Sequence, residues 1–326
     1  FDSGIQYLRG RTGAQPVSYA RYWHGWIAVL KPLLLFFNYA EIRMLNFILQ
    51  SALALIMLIK MLGNEYAKPY VVPLFIALMT IMPLSTAMSM GLAILYYVIL
   101  ISAILFITIF DRLKKQKRIF VFFVMLGVVT CFVDLVTYPL ATMGILLILW
   151  IILNHGYERE SGWKQLGEAV WLAAGWCGGY LGMWLGKWLI GSLVTDENIL
   201  KDAVLMVLYR LSHGSGESGQ YIEIHTGEVL CRNIAVLCNP MYVCMFVCAM
   251  VMIWKNANKN RSLYLSEYEI LLLFGVGCLP FLWYLCVGNH SYIHYWMTYK
   301  SLSITIFAWG SLLMSCVHKV KYRRKK

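Results

Sequence analysis

Residues 289–300 read NHSYIHYWMTYK and bring two histidines, three tyrosines and a lysine into one short segment between apolar stretches. His290 and His294 are four residues apart, so a helix would place both imidazoles on one face. That spacing suits two metal ligands, but no HExxH pattern accompanies them. We therefore assign no metal ligand and favour hydrogen-bond donors at the entrance of a helix, with a plain interfacial loop as the alternative.

Two aspartates are the catalytic candidates. Asp134 lies between the apolar runs VVTCFV and LVTYPL, where a carboxylate is costly unless it is solvated or paired, and such residues often serve function. An equally good alternative is that Asp134 caps the helix that begins near residues 138–139. Asp2 is the only carboxylate before Glu41.

Arginines beside aromatic residues form the core of a candidate substrate-binding set. The guanidinium fork matches phosphate oxygens, which suits an anionic phosphate at a membrane surface. For any single arginine, snorkelling toward lipid headgroups is the more ordinary explanation, whereas the set as a whole favours binding. Its members are Arg21, His24, Tyr138, Arg210, His213, His290, His294 and Lys300.

The composition places the chain among membrane proteins. Hydrophobic residues make up 60% of the 326 residues and charged residues 13%, whereas soluble domains carry about 25% charged residues. The mean hydropathy is +0.65, and several stretches reach the roughly 18–20 apolar residues that cross a bilayer. We therefore predict an all-α, polytopic transmembrane helix bundle that contacts membrane lipids.

Nine apolar stretches are predicted to span the membrane. They are 46–62, 70–84, 87–110, 119–135, 137–154, 168–194, 231–254, 266–287 and 297–318. Residues 1–45 are predicted to form an external loop with an interfacial amphipathic helix that is broken at Pro32. The transmembrane domain then covers 46–318, with an external loop at 195–230, and residues 319–326 form a basic cytoplasmic tail.

The positive charges predict the orientation. Lysine and arginine cluster in DRLKKQKR at 111–118, in 255–261 and in the final HKVKYRRKK, which is the pattern of cytoplasmic flanks. The chain is thus predicted to be a multi-pass protein of the cell membrane with a cytoplasmic C-terminus. The net charge of +12 reflects this topology, and no nucleic-acid partner is expected. Because spans alternate sides, the segments 1–45, 83–86, 134–139, 195–230 and 288–296 share the extracytoplasmic face.

The order of these segments is similar to that of a known family. SYARYWHGWIAVLKPLLLF leads into NYAEIRMLNFILQSALAL, and PLSTAMSMGLAILYYVILI, GVVTCFVDLVTYPLATMGILLIL and GYLGMWLGKWLI follow before the final NHSYIHYWMTYKSL. This pattern resembles the GT-C group of integral-membrane glycosyltransferases, and within it the uncharacterised bacterial members. The resemblance covers nearly the whole chain, although its motifs are degenerate.

The resemblance implies an enzyme that takes a sugar from a polyprenyl-phosphate donor and transfers it to a lipid, glycan or protein acceptor on the extracytoplasmic face. It implies no firm cofactor and leaves a divalent metal open. Tyr22, His24 and Arg43 would belong to the first-loop region, whereas His290, His294 and Lys300 would lie near the donor phosphate. The first span and the acidic motif of the family are expected upstream of Phe1.

Two other functional classes compete with this one. A transporter or flippase of a lipid-linked or anionic substrate would need polar groups at mid-membrane and repeat symmetry, and we find no internal repeat. A non-catalytic membrane subunit would tolerate mutation of the external polar residues.

Overall fold

The computed structural model describes residues 19–157, 161–212, 214–215, 222–255 and 265–317. This described part is almost entirely helical, with one antiparallel pair of two-residue strands, β1 (Gly214–Ser215) and β2 (Ile222–Glu223). The predicted all-α class is confirmed at this level.

The helices follow one another with short connections. They are α1 Gly25–Leu33, α2 Tyr39–Leu62, α3 Val71–Thr80, α4 Pro83–Ala87, α5 Met90–Lys115, α6 Ile119–Val133, α7 Leu140–Asn154, α8 Gly162–Val194, α9 Ile199–Leu211, α10 Thr226–Ala235, α11 Pro240–Lys255, α12 Glu267–Cys286, α13 Gly288–Ile293, α14 Tyr295–Thr298 and α15 Leu302–Val317. Short 3₁₀ turns occupy Lys68–Tyr70, Val236–Cys238 and Tyr299–Ser301.

Three of the described helices, α2, α5 and α12, are long and apolar enough to cross a membrane. A fourth span forms if α10 and α11, which meet at a bend of 76°, are counted together. Each of the nine predicted spans falls on a helix or helix pair, but α6 and α7 have only 15 residues each. Length and composition therefore identify three to four helices that could span a membrane.

The N-terminal helices differ in detail from the prediction. Helix α1 lies within the predicted amphipathic segment and contains Pro32 in its last turn rather than breaking there. Helix α2 begins at Tyr39, seven residues before the predicted span, because Asn38 and Glu41 form a reciprocal capping box that satisfies two backbone N–H groups. The predicted external loop 195–230 contains helix α9. The side chain of Asn198 caps its first turn by accepting a hydrogen bond from the Lys201 backbone N–H.

Helix α7 is the centre of the bundle. All of its 15 residues are buried, as expected for a helix that is apolar on every side. Helices α5, α6, α8, α12 and α15 pack around it. Because α7 follows residues 134–139 directly, the rigid core fixes the position of that connection.

Helices α6 and α8 approach each other through glycines. A Cβ atom added to Gly127 would lie 2.1 Å from the Trp176 carbonyl oxygen, and one added to Gly179 would lie 2.1 Å from the Val124 carbonyl oxygen. Small residues allow such close backbone contact between apolar helices. This contact holds α8 against the core and fixes the orientation of the aromatic side chains that directly follow its glycines.

Polar contacts gather at the two ends of the bundle. At one end, Arg21 pairs with Asp202 and the turn at residues 134–139 meets α13. At the other end, His155 pairs with Glu269 at 2.7 Å. The segments that the alternation of spans assigns to one side are thus neighbours in space, while the side of the membrane on which each end lies stays a prediction.

Candidate functional site

A cavity of about 520 Å³ opens between α7, α8, α9 and α12. Its described walls are almost wholly apolar and aromatic, and their charged or hydroxyl-bearing members are Arg21, Tyr22, Tyr180 and Arg210. A space of this size with a few polar groups at its edges is the usual form of a small-molecule site. This cavity suits an amphiphile that has an apolar tail and an anionic head.

An aromatic ladder forms one wall of the cavity. Trp176, Tyr180, Trp184 and Trp188 recur every fourth residue on α8, with successive ring centroids 4.9, 6.5 and 5.2 Å apart. Residues four apart share a helix face, so this spacing was a readable signal in the sequence that our site assignment missed. The wall is rigid because α8 is fixed to α6 by the glycine contact.

A chain of polar contacts links Arg210 at the cavity to the connection between α6 and α7. The Arg210 guanidinium lies 3.3 Å from His294 Nε2, the rings of His294 and His290 are 4.8 Å apart, and His290 Nε2 lies 2.7 Å from the Val136 carbonyl oxygen. The structure therefore brings together three of the predicted substrate-binding residues.

The partners of the two imidazoles define their tautomers. Arginine only donates, so His294 Nε2 accepts from Arg210 and a neutral His294 carries its proton on Nδ1. A carbonyl oxygen only accepts, so His290 Nε2 carries the proton and donates it to Val136. Both Nε2 atoms are thus engaged, and the described residues contain no group of three or more metal-ligating side chains.

The connection at residues 134–139 is held in an unusual conformation. Val136 has a φ of 63°, a left-handed backbone that is rare for a β-branched residue and stores strain. The Asp134 carboxylate accepts hydrogen bonds from the backbone N–H and the hydroxyl of Thr137. The capping alternative for Asp134 is wrong in detail, because helix α7 has Pro139 at its N-cap without a side-chain hydrogen bond and Asp134 instead closes the turn that precedes the helix.

The burial of His290 and Asp134 predicts that each contributes a pH dependence to the stability of the fold, and that the two dependences have opposite signs. Burial lowers the pKa of His290 to about 3, and burial raises the pKa of Asp134 to about 6 against its hydrogen bonds from Thr137. Between about pH 4 and pH 6 the unfolded chain holds a proton on His290 and the folded chain holds one on Asp134. The two contributions cancel, so the stability of the wild type is flat with respect to these groups.

Removing either group exposes the other's contribution. In Asp134→Asn only His290 remains, and it binds a proton in the unfolded chain but not in the folded one. The free energy of unfolding therefore falls by about 1.4 kcal/mol per pH unit as the pH drops through this window. In His290→Gln only Asp134 remains, and it binds a proton in the folded chain but not in the unfolded one. The free energy of unfolding therefore rises by about 1.4 kcal/mol per pH unit as the pH drops. Thermal unfolding of the detergent-solubilised variants across this range measures both slopes, and profiles parallel to that of the wild type would contradict the assignment.

Besides Asp134 and the two histidines, four of the predicted residues do not line the cavity. Arg43 is exposed and donates to the Met88 carbonyl, and the Tyr138 hydroxyl donates to the Leu92 carbonyl. Lys300 is fully buried, with Nζ 2.6 Å from the Ile81 carbonyl oxygen. His24 precedes α1 with a φ of 50°, and its ring packs near Tyr22.

Arg21 and Tyr22 do line the cavity, and both come from the segment that precedes α1. Sequence reasoning missed the partner of Arg21, Asp202, because the two residues are 181 positions apart. The predicted residues Asp2 and His213 lie outside the described part of the chain.

Comparison of the chain with protein-family models, curated proteins and solved structures finds no match. The resemblance to GT-C glycosyltransferases therefore stays an expectation drawn from the sequence.

Proposed function

We propose that this protein is a polytopic membrane glycosyltransferase that takes a sugar from a polyprenyl-phosphate donor. The observation that carries the proposal is the apolar cavity with Arg210 at its edge. An isoprenoid chain matches the aromatic walls, and a guanidinium matches the phosphate that follows the chain. In this reading the cavity end of the bundle faces the extracytoplasmic side.

The reaction assigns a task to each end of the donor. The acceptor hydroxyl bonds to the anomeric carbon and gives its proton to a base, while the bond from that carbon to the phosphate oxygen breaks and the phosphate leaves with the electron pair. Arg210, held by His294, neutralises the charge that develops on the departing phosphate.

The carboxylates take different parts in the proposal. Asp134 is buried and accepts a hydrogen bond from Thr137. Its part is therefore to stabilise the strained connection at residues 134–139, to which His290 donates a hydrogen bond. Asp2, the other catalytic candidate, takes the part of the base in this proposal. The acceptor, a lipid, glycan or protein, approaches from the extracytoplasmic side.

A substitution that fills the cavity tests the proposal. Val207 lines the cavity, whereas Val204 on the same helix does not, and both are partly exposed. The protein in nanodiscs is supplied with labelled hexose and pentose esters of a short-chain polyprenyl phosphate, together with a membrane extract as the acceptor source. We expect the wild type and Val204→Trp to transfer label, and Val207→Trp to lose about tenfold or more of this activity, since it occupies the tail site.

Two outcomes would overturn the proposal. One is equal activity of the two tryptophan variants. The other is movement of the intact donor across proteoliposomes without any transfer of sugar, which would instead support the transporter class.

A further inference from the structure

Arg21 is an unusually placed cation that lines the cavity together with Arg210. Its side chain is 9% exposed, and its guanidinium lies 4.7 Å from the centroid of the Tyr19 ring and 5.1 Å from that of Tyr22. The Trp188 indole donates to its backbone carbonyl at 3.1 Å. The side chain is thus fixed in place by aromatic residues at the cavity wall.

The hydrogen bonding of this guanidinium is incomplete. Nη1 donates to Asp202 Oδ2 at 2.8 Å, but the buried Nε–H has no acceptor among the described residues. A buried donor without a partner is costly, and an arginine fork prefers two parallel bonds to an anion. The missing bond points to a ligand with more than one acceptor oxygen.

Asp202 differs from Arg21 in its surroundings. Its side chain is 49% exposed, against 9% for Arg21, and it projects from α9, which is largely exposed. A half-exposed carboxylate stays hydrated when it moves away from its partner, so the separation costs Asp202 little. The pair can therefore exchange its anion while Arg21 stays fixed.

Arg21 and Arg210 define two separate polar ends of the cavity. Asp202 and Arg210 lie eight residues apart on α9, which corresponds to about 12 Å along the helix axis at 1.5 Å per residue. The two guanidinium groups are thus anchored at different points along α9, Arg21 at Asp202 and Arg210 a little over two turns later.

We propose that Arg21 is a binding site for the phosphate of a second anionic lipid, and that Asp202 is a built-in counterion which this phosphate displaces. The inference deepens the proposed function, on which it rests for the role of the lipid: the transfer reaction would then involve two phosphate-bearing lipids, with the second one as acceptor. The phosphate would accept from Nε and Nη2 of Arg21, which donate in parallel, and its charge would repel the half-exposed Asp202 carboxylate from Nη1.

If the phosphate replaces Asp202 as the partner of Arg21, substitutions of these two residues should change the affinity for an anionic lipid in opposite directions. The probe is dodecyl phosphate, titrated into full-length protein in a non-ionic detergent, with dodecanol and inorganic phosphate as separate ligands. All variants carry Arg210→Gln, which removes the other cationic end. We expect Arg21→Gln to weaken dodecyl phosphate binding about tenfold or more, and Asp202→Asn to strengthen it about threefold to tenfold, because the competing carboxylate is gone.

The controls separate binding from folding. Asp196 is an exposed aspartate just before α9, so Asp196→Asn removes one negative charge nearby and should leave affinity unchanged within about twofold. If Arg21→Gln does not fold, Arg21→Lys replaces it, since lysine keeps the charge but loses the fork. Dodecanol should bind all variants alike.

Several results would overturn the inference. A parallel loss of affinity in Arg21→Gln and Asp202→Asn would mean that the pair only holds α9 in place. Inorganic phosphate binding as tightly as dodecyl phosphate would mean that the site takes a free anion rather than a lipid. The test is independent of catalysis: tighter binding by Asp202→Asn in a protein without transferase activity would keep the subsite and refute the proposed function.

Discussion

Replacing Gly179 with leucine is expected to prevent assembly of the helix bundle. The added Cβ would lie 2.1 Å from the Val124 carbonyl oxygen, and backbone atoms cannot move aside as a flexible side chain does. Helix α8 would have to separate from α6, at a cost of more than about 3 kcal/mol. The measurement is the yield of monodisperse protein after detergent extraction, followed by thermal unfolding of whatever is recovered.

Gly178 supplies the matched control. It is the preceding residue on the same helix, and a Cβ built there meets nothing within 4 Å. Gly178→Leu should therefore give wild-type yield, with a small gain from the better helix propensity of leucine. Similar yields from the two leucine variants would show that α6 and α8 do not approach each other as closely as described.

Replacing Arg210 with glutamine is expected to lower sugar transfer by about 100-fold or more if the proposed function is correct. This magnitude is typical for removing one donor that stabilises developing negative charge. Binding of the donor should weaken less than turnover, because the charge on the departing phosphate grows during the reaction. The measurement is the initial rate of label transfer at several donor concentrations.

Lys201 tests whether the effect depends on position. It lies on α9 with Arg210 but is exposed and away from the cavity, so Lys201→Gln removes the same charge from the same helix. We expect it to keep at least about half of the wild-type rate, as surface charges contribute little. An equal loss in both variants would indicate a general electrostatic effect rather than a phosphate contact.

Local patterns predicted much of the architecture and part of the site. The apolar stretches located the helices, and the alternation of spans placed the segments that contain Arg21, Val136, Arg210 and His290 at one end. The paired histidines were correctly singled out as neighbours on a folded segment, since their rings are 4.8 Å apart. These features depend on spacing within a few residues, which a single sequence displays.

The rest depends on contacts between distant parts of the chain. Nothing in the residues around Lys300 indicates that its ammonium would turn inward to the Ile81 carbonyl, and nothing near Arg21 indicates Asp202 as its partner. Helix α9 was missed because the Gly-rich stretch after it suggested a loop and its 13 residues are too few to cross a bilayer. Ten of those residues are apolar, and the capping by Asn198 shows that the local signal for a helix was present.

The contact between His290 and Val136 also bears on how the protein is made. It joins residues 154 positions apart, and the contact between Arg210 and His294 joins residues 84 apart. A ribosome that has completed α12 has already supplied every described wall of the cavity except Val287, but neither histidine. The polar end of the site, where the two histidines orient Arg210, is therefore the last part of the site to be completed during synthesis.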